Sequence, residues 1–290
     1  MNNIYEDIFS QVYGYSTNFL DSKNSKNIRE SILALRKSYQ SNEPITAYDE
    51  KEIRKAYMLA YYPNYMNLAY ELTKAYIIDD LINVNSRKIK MVFFAAGPAP
   101  EVSGVLKVLN DLEYNKRLEV NILDLEKGWE DERKATSIII KKMSNLKIST
   151  LKHLSGCDLT VDCKSACNNW IYCEKNIFQG NLYFMNNCIN HMSEEVKFIE
   201  KLKIKISNLK QGAIFVITDL DYINVKNVLN KLNNKCDEIV EVISTNIDSK
   251  ISVSRLNIQL PEKMEKYIFN SEGLRAKKNT KYYYIILKRR

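Results

Sequence analysis

Gly97, Pro98 and Pro100 fall within four residues, directly after the apolar run Met91-Val92-Phe93-Phe94-Ala95-Ala96. The chain holds only 8 glycines and 5 prolines, so their position is informative. Ala95, Ala96, Gly97 and Ala99 are small enough for a ligand to approach the backbone closely. A helix opening at Glu101 aims its N–H groups at the same spot. An acid at the end of the following strand can accept hydrogen bonds from the two hydroxyls of a ribose, and Asp124 occupies that place. Asn186, Asn187, Asn190 and His191 form a second cluster. Asparagine amides orient an amine or a cofactor, and His191 is a base that works near neutral pH. Packing of His191 beside the following helix is the plainer reading of the same residue.

These groups need elements to bring them together. Lys88 to Ala96 reads as a short apolar strand with little alternation, as a central parallel strand buried on both faces does. Val102, Val105, Leu106, Leu109 and Leu112 then recur at helical spacing. Further strands are predicted at 118–125, 146–151, 182–185, 213–218, 238–243 and 282–287, with helices between them. Alternation of strand and helix from 88 to about 243 predicts an α/β fold with a mostly parallel sheet. Residues 1–86 read as mostly helical, with Asp49 and Glu52 as a capping box and Pro63 as a break. The expected organisation is a helical cap or lid over 1–86 and an α/β domain over 87–290.

At this point the chain resembles a known family. Phe93-Phe94-Ala95-Ala96-Gly97-Pro98-Ala99 looks like the first motif of class I S-adenosylmethionine-dependent methyltransferases, which reads acid-apolar-Gly-x-Gly-x-Gly. Leu123-Asp124-Leu125 resembles the second, ribose-binding motif. The stretch 184–191, FMNNCINH, sits where the family's fourth strand ends. Leu209 to Asp219 resembles its late L-K-x-G-G stretch, and Tyr282 to Lys288 its final antiparallel strand. The likeness covers about 88–290 and lies in order and spacing.

The resemblance implies a Rossmann-like seven-stranded sheet, mostly parallel with the last strand antiparallel, under the N-terminal cap. It implies S-adenosylmethionine as cofactor, held by Phe94, Ala95, Ala96, Gly97, Pro98, Ala99, Asp124, Leu125, Asp158 and Asn186. Asp162 is the alternative to Asp158. Asn187 and His191 become the catalytic, substrate-positioning pair. Two departures stand out. Phe93 replaces an acid, and Ala95 and Ala99 replace glycines, which a position with φ > 0 would resist. The alternative class is therefore a catalytically inactive binding or scaffold protein on the same fold. A nicotinamide-dependent enzyme is a third class, disfavoured by the 209–219 stretch and the tyrosine-rich last strand.

Composition bounds the rest. The 290 residues include 43 Lys+Arg and 35 Asp+Glu, a net charge of +8. No apolar run approaches the ~18 residues of a membrane span. The start of the chain shows no signal peptide, and six cysteines fit a reducing, cytoplasmic setting. Two histidines do not suit a His-rich zinc enzyme, and a G-x-S-x-G elbow is missing. Cys157, Cys163, Cys167 and Cys173 crowd together, but not as C-x-x-C pairs; free thiols and a metal site both stay open. Tyr57, Tyr61, Tyr62, Tyr65, Tyr70 and Tyr76 read as helix packing or as an aromatic lid. Arg275, Lys277, Lys278 and Lys281 form a basic rim before the last strand, suited to an anion such as RNA or simply solvated. The expected partner is a small-molecule or RNA substrate, with a protein partner compatible and no membrane.

Overall fold

The apolar runs form one mixed sheet in a computed structural model, which describes residues 4–39, 48–162, 164, 170–192, 195–249, 251–254, 259–270, 274–276 and 279–290. Its strands are β1 (Lys88–Phe94), β2 (Arg117–Asp124), β3 (Lys147–Ser155), β4 (Leu182–Asn186), β5 (Ile214–Leu220), β6 (Val240–Thr245), β7 (Ile251–Ser254) and β8 (Asn279–Arg289). The order β3-β2-β1-β4-β5-β8-β6 has the first five strands parallel and β8 antiparallel to both neighbours. This is the sheet that the resemblance implies, with one correction. A strand was missed: β7 pairs with β8, making eight. The physical reason is the length of β8. β6 covers only its second half, from Ile285 to Arg289, and β7 satisfies the open ladder from Asn279 to Tyr282.

The helices that matter here are α1 (Ile4–Tyr13), α2 (Lys26–Ser38), α3 (Lys51–Ala60), α4 (Tyr62–Leu72), α5 (Ile78–Ile82), α6 (Pro100–Asp111), α7 (Glu130–Lys141), α8 (Glu195–Ser207) and α9 (Ile223–Cys236). The capping box expected at Asp49 is not formed. Glu50 stands at the start of α3 and makes no side-chain cap. Arg54 holds that turn instead, donating from Nη1 to the carbonyls of Tyr48 at 2.7 Å and Asp49 at 2.8 Å. Pro63 sits in the first turn of α4, where its missing N–H costs nothing.

The strands carry apolar residues on both faces, so two cores form. Ile89, Met91 and Phe93 of β1 face the side covered by α1–α7. Val92 and Phe94 face the side covered by α8 and α9. The N-terminal helices thus share one core with the sheet face they cover. No helix among the described residues is long and apolar enough to cross a membrane.

α4 and α6 meet at Gly104, where an added Cβ would lie 2.2 Å from the carbonyl oxygen of Met66 and 2.9 Å from the Ala69 methyl. Such a contact forces two helix backbones apart. Gly104→Ala is expected to destabilise the fold by about 1–3 kcal/mol through overpacking, read as a lowered urea midpoint at unchanged slope.

Candidate functional site

Strand register assembles the site. Phe94 pairs with Leu123 on one side and Met185 on the other. The residues that follow, Ala95, Asp124 and Asn186, therefore reach the same edge of the sheet. β1 must turn there into α6, and the turn alternates in handedness. Ala95 has φ 49°, Gly97 φ 50° and Ala99 φ 63°. These are the three glycine positions of the motif, and all three adopt the left-handed conformation that glycine favours. At Ala95 and Ala99 the Cβ costs roughly 1–2 kcal/mol each. The surrounding structure imposes these conformations on both alanines.

Asp124 supplies much of that constraint. Its Oδ2 accepts the Gly97 N–H at 2.7 Å, and its Oδ1 accepts the Glu126 N–H at 2.8 Å. α7 holds the other side: Arg133 Nε donates to the Gly97 carbonyl at 2.8 Å, and Thr136 Oγ1 to the Pro98 carbonyl at 2.5 Å. Burial pushes the Asp124 carboxyl up, while the Gly97 and Glu126 N–H groups and the Arg133 charge pull it back. Each bonded oxygen retains a second lone pair for a ligand hydroxyl.

The asparagine cluster forms the opposite wall. Asn187 takes φ 53°, a conformation asparagine tolerates, and its N–H donates to the Thr218 carbonyl at 3.0 Å. Its Nδ2 donates to the Tyr39 hydroxyl at 3.1 Å. Asp219 organises the turn that follows, accepting N–H groups from Ile189 at 2.7 Å and Asn190 at 3.2 Å. Burial pushes this carboxyl up to about 7 against those hydrogen bonds. The amide oxygens of Asn186 and Asn187 are buried and have no hydrogen-bond partner among the described residues. Such atoms are costly unless a ligand or water satisfies them.

Ala95, Ala96, Gly97, Pro98, Asp124, Asn186, Asn187 and His191 together line a pocket of about 160 Å³. The residues fit a nucleoside cofactor in kind: a left-handed turn, a ribose-type acid and orphaned amide acceptors. The space is smaller than the ~300–1,000 Å³ usual for ligand sites. Tyr48, Tyr57 and Trp129 close it, with the Tyr48 ring 5.3 Å from the Trp129 ring and 5.8 Å from that of His191. The Trp129 indole would lie 3.2 Å from a Cβ added at Gly97.

Other expected site residues lie elsewhere. Phe94 and Ala99 are buried beside the turn but do not line the pocket. Leu125 is 55% exposed and points away from it. Asp158 accepts the N–H and hydroxyl of Thr160 within a local turn, at 2.8 and 2.7 Å, and also stays outside. Phe93 is fully buried against Phe184 in the core, where an unpaired carboxylate would be costly. Tyr57 lines the pocket, while Tyr62 packs inside and bonds Ser103 at 2.7 Å. Cys163, Cys167, Lys277 and Lys278 lie outside the described residues, and among the described residues no cluster of three or more metal-ligating side chains occurs.

The sequence reading missed Glu101 as a functional group. It sits in the first turn of α6, lines the pocket and is 1% exposed. Burial pushes its carboxyl from an ordinary 4.5 up to about 8, with the Asp124 charge adding to the rise. As a first-turn acid it looks like routine dipole compensation; its place one residue after Pro100 on the helix leaving the turn was the available signal. Trp129, Tyr48 and Tyr39 were likewise invisible, because chain segments far apart bring them in.

No family model matches the chain, and no curated protein does. Solved structures are similar in architecture. The plantazolicin methyltransferase BpumL, in complex with a monoazolic desmethyl plantazolicin analogue and S-adenosylhomocysteine, is 13% identical, with 91% of this chain and 99% of that one covered and a TM-score of 0.45. An rRNA methylase from Streptococcus thermophilus is 12% identical over 73% of this chain and 92% of its own, TM-score 0.39. The N-methyltransferase NodS from Bradyrhizobium japonicum WM9, in complex with S-adenosylhomocysteine, is 9% identical over 89% and 98%, TM-score 0.39.

Because Glu101 holds its proton more tightly when folded, the stability it contributes is complete below about pH 4.5 and is lost as pH rises through about 8. Glu101→Gln mimics the protonated form. Urea titrations across this range should show a shallower fall in stability for Glu101→Gln than for the wild type; parallel curves would mean that the Glu101 carboxyl titrates alike in the folded and unfolded chain.

Proposed function

We propose that the chain binds S-adenosylmethionine at the turn 95–99 and transfers its methyl group to an acceptor. One observation carries the reading: all three glycine positions of the motif keep left-handed φ although two are alanine, with Asp124 bonded to the centre of the turn. A fold under no demand for that turn would relax it by roughly 1–2 kcal/mol per strained residue. S-adenosylmethionine, when bound, supplies an electrophilic carbon on a sulfonium.

The residues divide the work. Asp124 receives the ribose hydroxyls through its remaining lone pairs, and Asn186 offers an unsatisfied amide oxygen beside it. Gly97 and Pro98 let the ligand approach the backbone. Asn187 and His191 position the acceptor from the opposite wall. Glu101 can exchange a proton with an acceptor amine or hydroxyl, since burial pushes its carboxyl up to about 8. The helical segment 1–86 serves as lid over the domain 87–290, contributing Tyr48 and Tyr57 to the closure. Exclusion of water by these rings strengthens every charge interaction inside. The thiols of Cys188 and Cys236, buried and outside any disulfide, agree with a reducing, cytoplasmic setting. A scaffold that had lost the chemistry has no use for a buried acid in an aromatic pocket, because an isolated buried carboxylate costs stability.

Isothermal titration with S-adenosylmethionine and S-adenosylhomocysteine, with NAD as control, tests the cofactor. Micromolar binding of the first two alone is expected, and silence for both brings the scaffold forward. Asp124→Ala should weaken binding by about 1–3 kcal/mol, as for a lost charged hydrogen bond. Entry of the ligand must displace Tyr48 or Trp129, so tryptophan fluorescence should change on binding in the wild type and not in Trp129→Phe. The co-product identifies the carbon transferred: S-adenosylhomocysteine follows from methyl transfer, and 5′-methylthioadenosine from transfer of the aminocarboxypropyl arm.

A further inference from the structure

A second cavity of about 710 Å³ opens at the same edge of the sheet, where β5 ends and β8 begins. Tyr39 is the partition between the two spaces. It lines the second cavity, while its hydroxyl contacts that of Tyr48 and accepts from Asn187 Nδ2 at 3.1 Å, both of which line the first pocket. The Tyr222 hydroxyl donates to the Tyr39 carbonyl and fixes the partition from the other side.

The lining is cationic. Arg36 comes from α2, Arg275 from the segment before β8, and Lys281 from β8 itself. None of the three makes an ion pair with a described carboxylate, although Asp221 also lines the cavity. Arg36 is half-buried, and its one hydrogen bond runs from Nη2 to the Arg275 carbonyl at 2.6 Å. That bond leaves most of its five donors unused. Burial lowers its tendency to hold a proton, opposed by the neighbouring Tyr61. Three cations from separate elements, set against the single carboxylate of Asp221, converge on a space that adjoins the candidate reaction centre, and this excess of positive charge describes an anion site. Arg275 and Lys281 are exposed at the cavity mouth, and Arg36 lies deeper.

We propose that this cavity is the acceptor site and that it takes an anionic small molecule, bearing a carboxylate or phosphate that Arg36, Arg275 and Lys281 bind. The volume lies within the ~300–1,000 Å³ of small-molecule sites, and the tyrosine walls suit a compact ligand. Tyr39 must swing aside to join the two spaces. The proposal rests on the transferase reading for the word acceptor, but the anion site stands on its own geometry.

The test uses the full chain. Succinate and inorganic phosphate are titrated calorimetrically at low ionic strength, with and without saturating S-adenosylhomocysteine. Saturable binding of at least one anion is expected, and the stronger of the two identifies the headgroup. Arg36→Gln should weaken it about tenfold, the loss of one charge-assisted contact. Lys281→Gln, on an exposed side chain, should weaken it in the same direction and guards against misfolding of the first variant. Affinity for S-adenosylhomocysteine should be unchanged in both. Equal anion affinity in wild type and variants, or no saturable binding, overturns the site. Tight binding of a single-stranded RNA that neither anion displaces overturns the small-molecule class. Arg36-dependent anion binding without any S-adenosylhomocysteine binding leaves the site standing and refutes the cofactor reading instead.

Discussion

The hydrogen bond from the Gly97 N–H to Asp124 joins the end of β1 to the end of β2, and the site is organised about it. Parallel pairing sets the two strand ends level, which is the condition for the bond. Once made, it holds a turn in which two alanines occupy left-handed conformations. Arg133 and Thr136 grip the adjacent carbonyls from α7. Neither grip alone need offset the backbone strain, but a turn bound on both sides cannot relax at one residue without breaking several bonds. Functional sites are where such strain persists.

Around this turn the protein buries three carboxyls under tyrosine. Asp124 and Asp219 are each compensated by backbone N–H groups, which explains how they are tolerated. Glu101 is compensated only by a backbone hydrogen bond of its own residue, and burial pushes its carboxyl up to about 8. Desolvation in low dielectric disfavours the charged form, so a proton is the simplest compensation. An acid balanced in this way is suited to exchange that proton during a reaction.

The N-terminal helices do more than cover a face of the sheet. They share its core through Tyr62 and Tyr65, and they deliver Tyr39, Tyr48 and Tyr57 to the open edge. The two cavities there differ in character: one is aromatic and acidic, the other cationic. A single side chain, Tyr39, separates them. Segments far apart in sequence meet at this place, so its chemistry is a property of the assembled molecule.

The order of strands and helices, the central apolar strand, the turn at Gly97 and the acid at Asp124 were all legible in the chain. They depend on local apolar periodicity and on short-range backbone chemistry, which neighbouring residues carry. Asn186, Asn187 and His191 were legible for the same reason, since they directly follow an apolar strand. Leu125 and Asp158 were placed by the family resemblance alone, and their side chains lie outside the pocket or in a local turn. What only the tertiary structure decided was burial and convergence. It closed Glu101 under α4 and the tyrosines, brought Trp129 over Gly97, paired β7 with the free half of β8, and gathered Arg36 with Arg275 and Lys281. The physical reason is that desolvation and charge depend on neighbours in space, and a residue's sequence neighbours do not determine those.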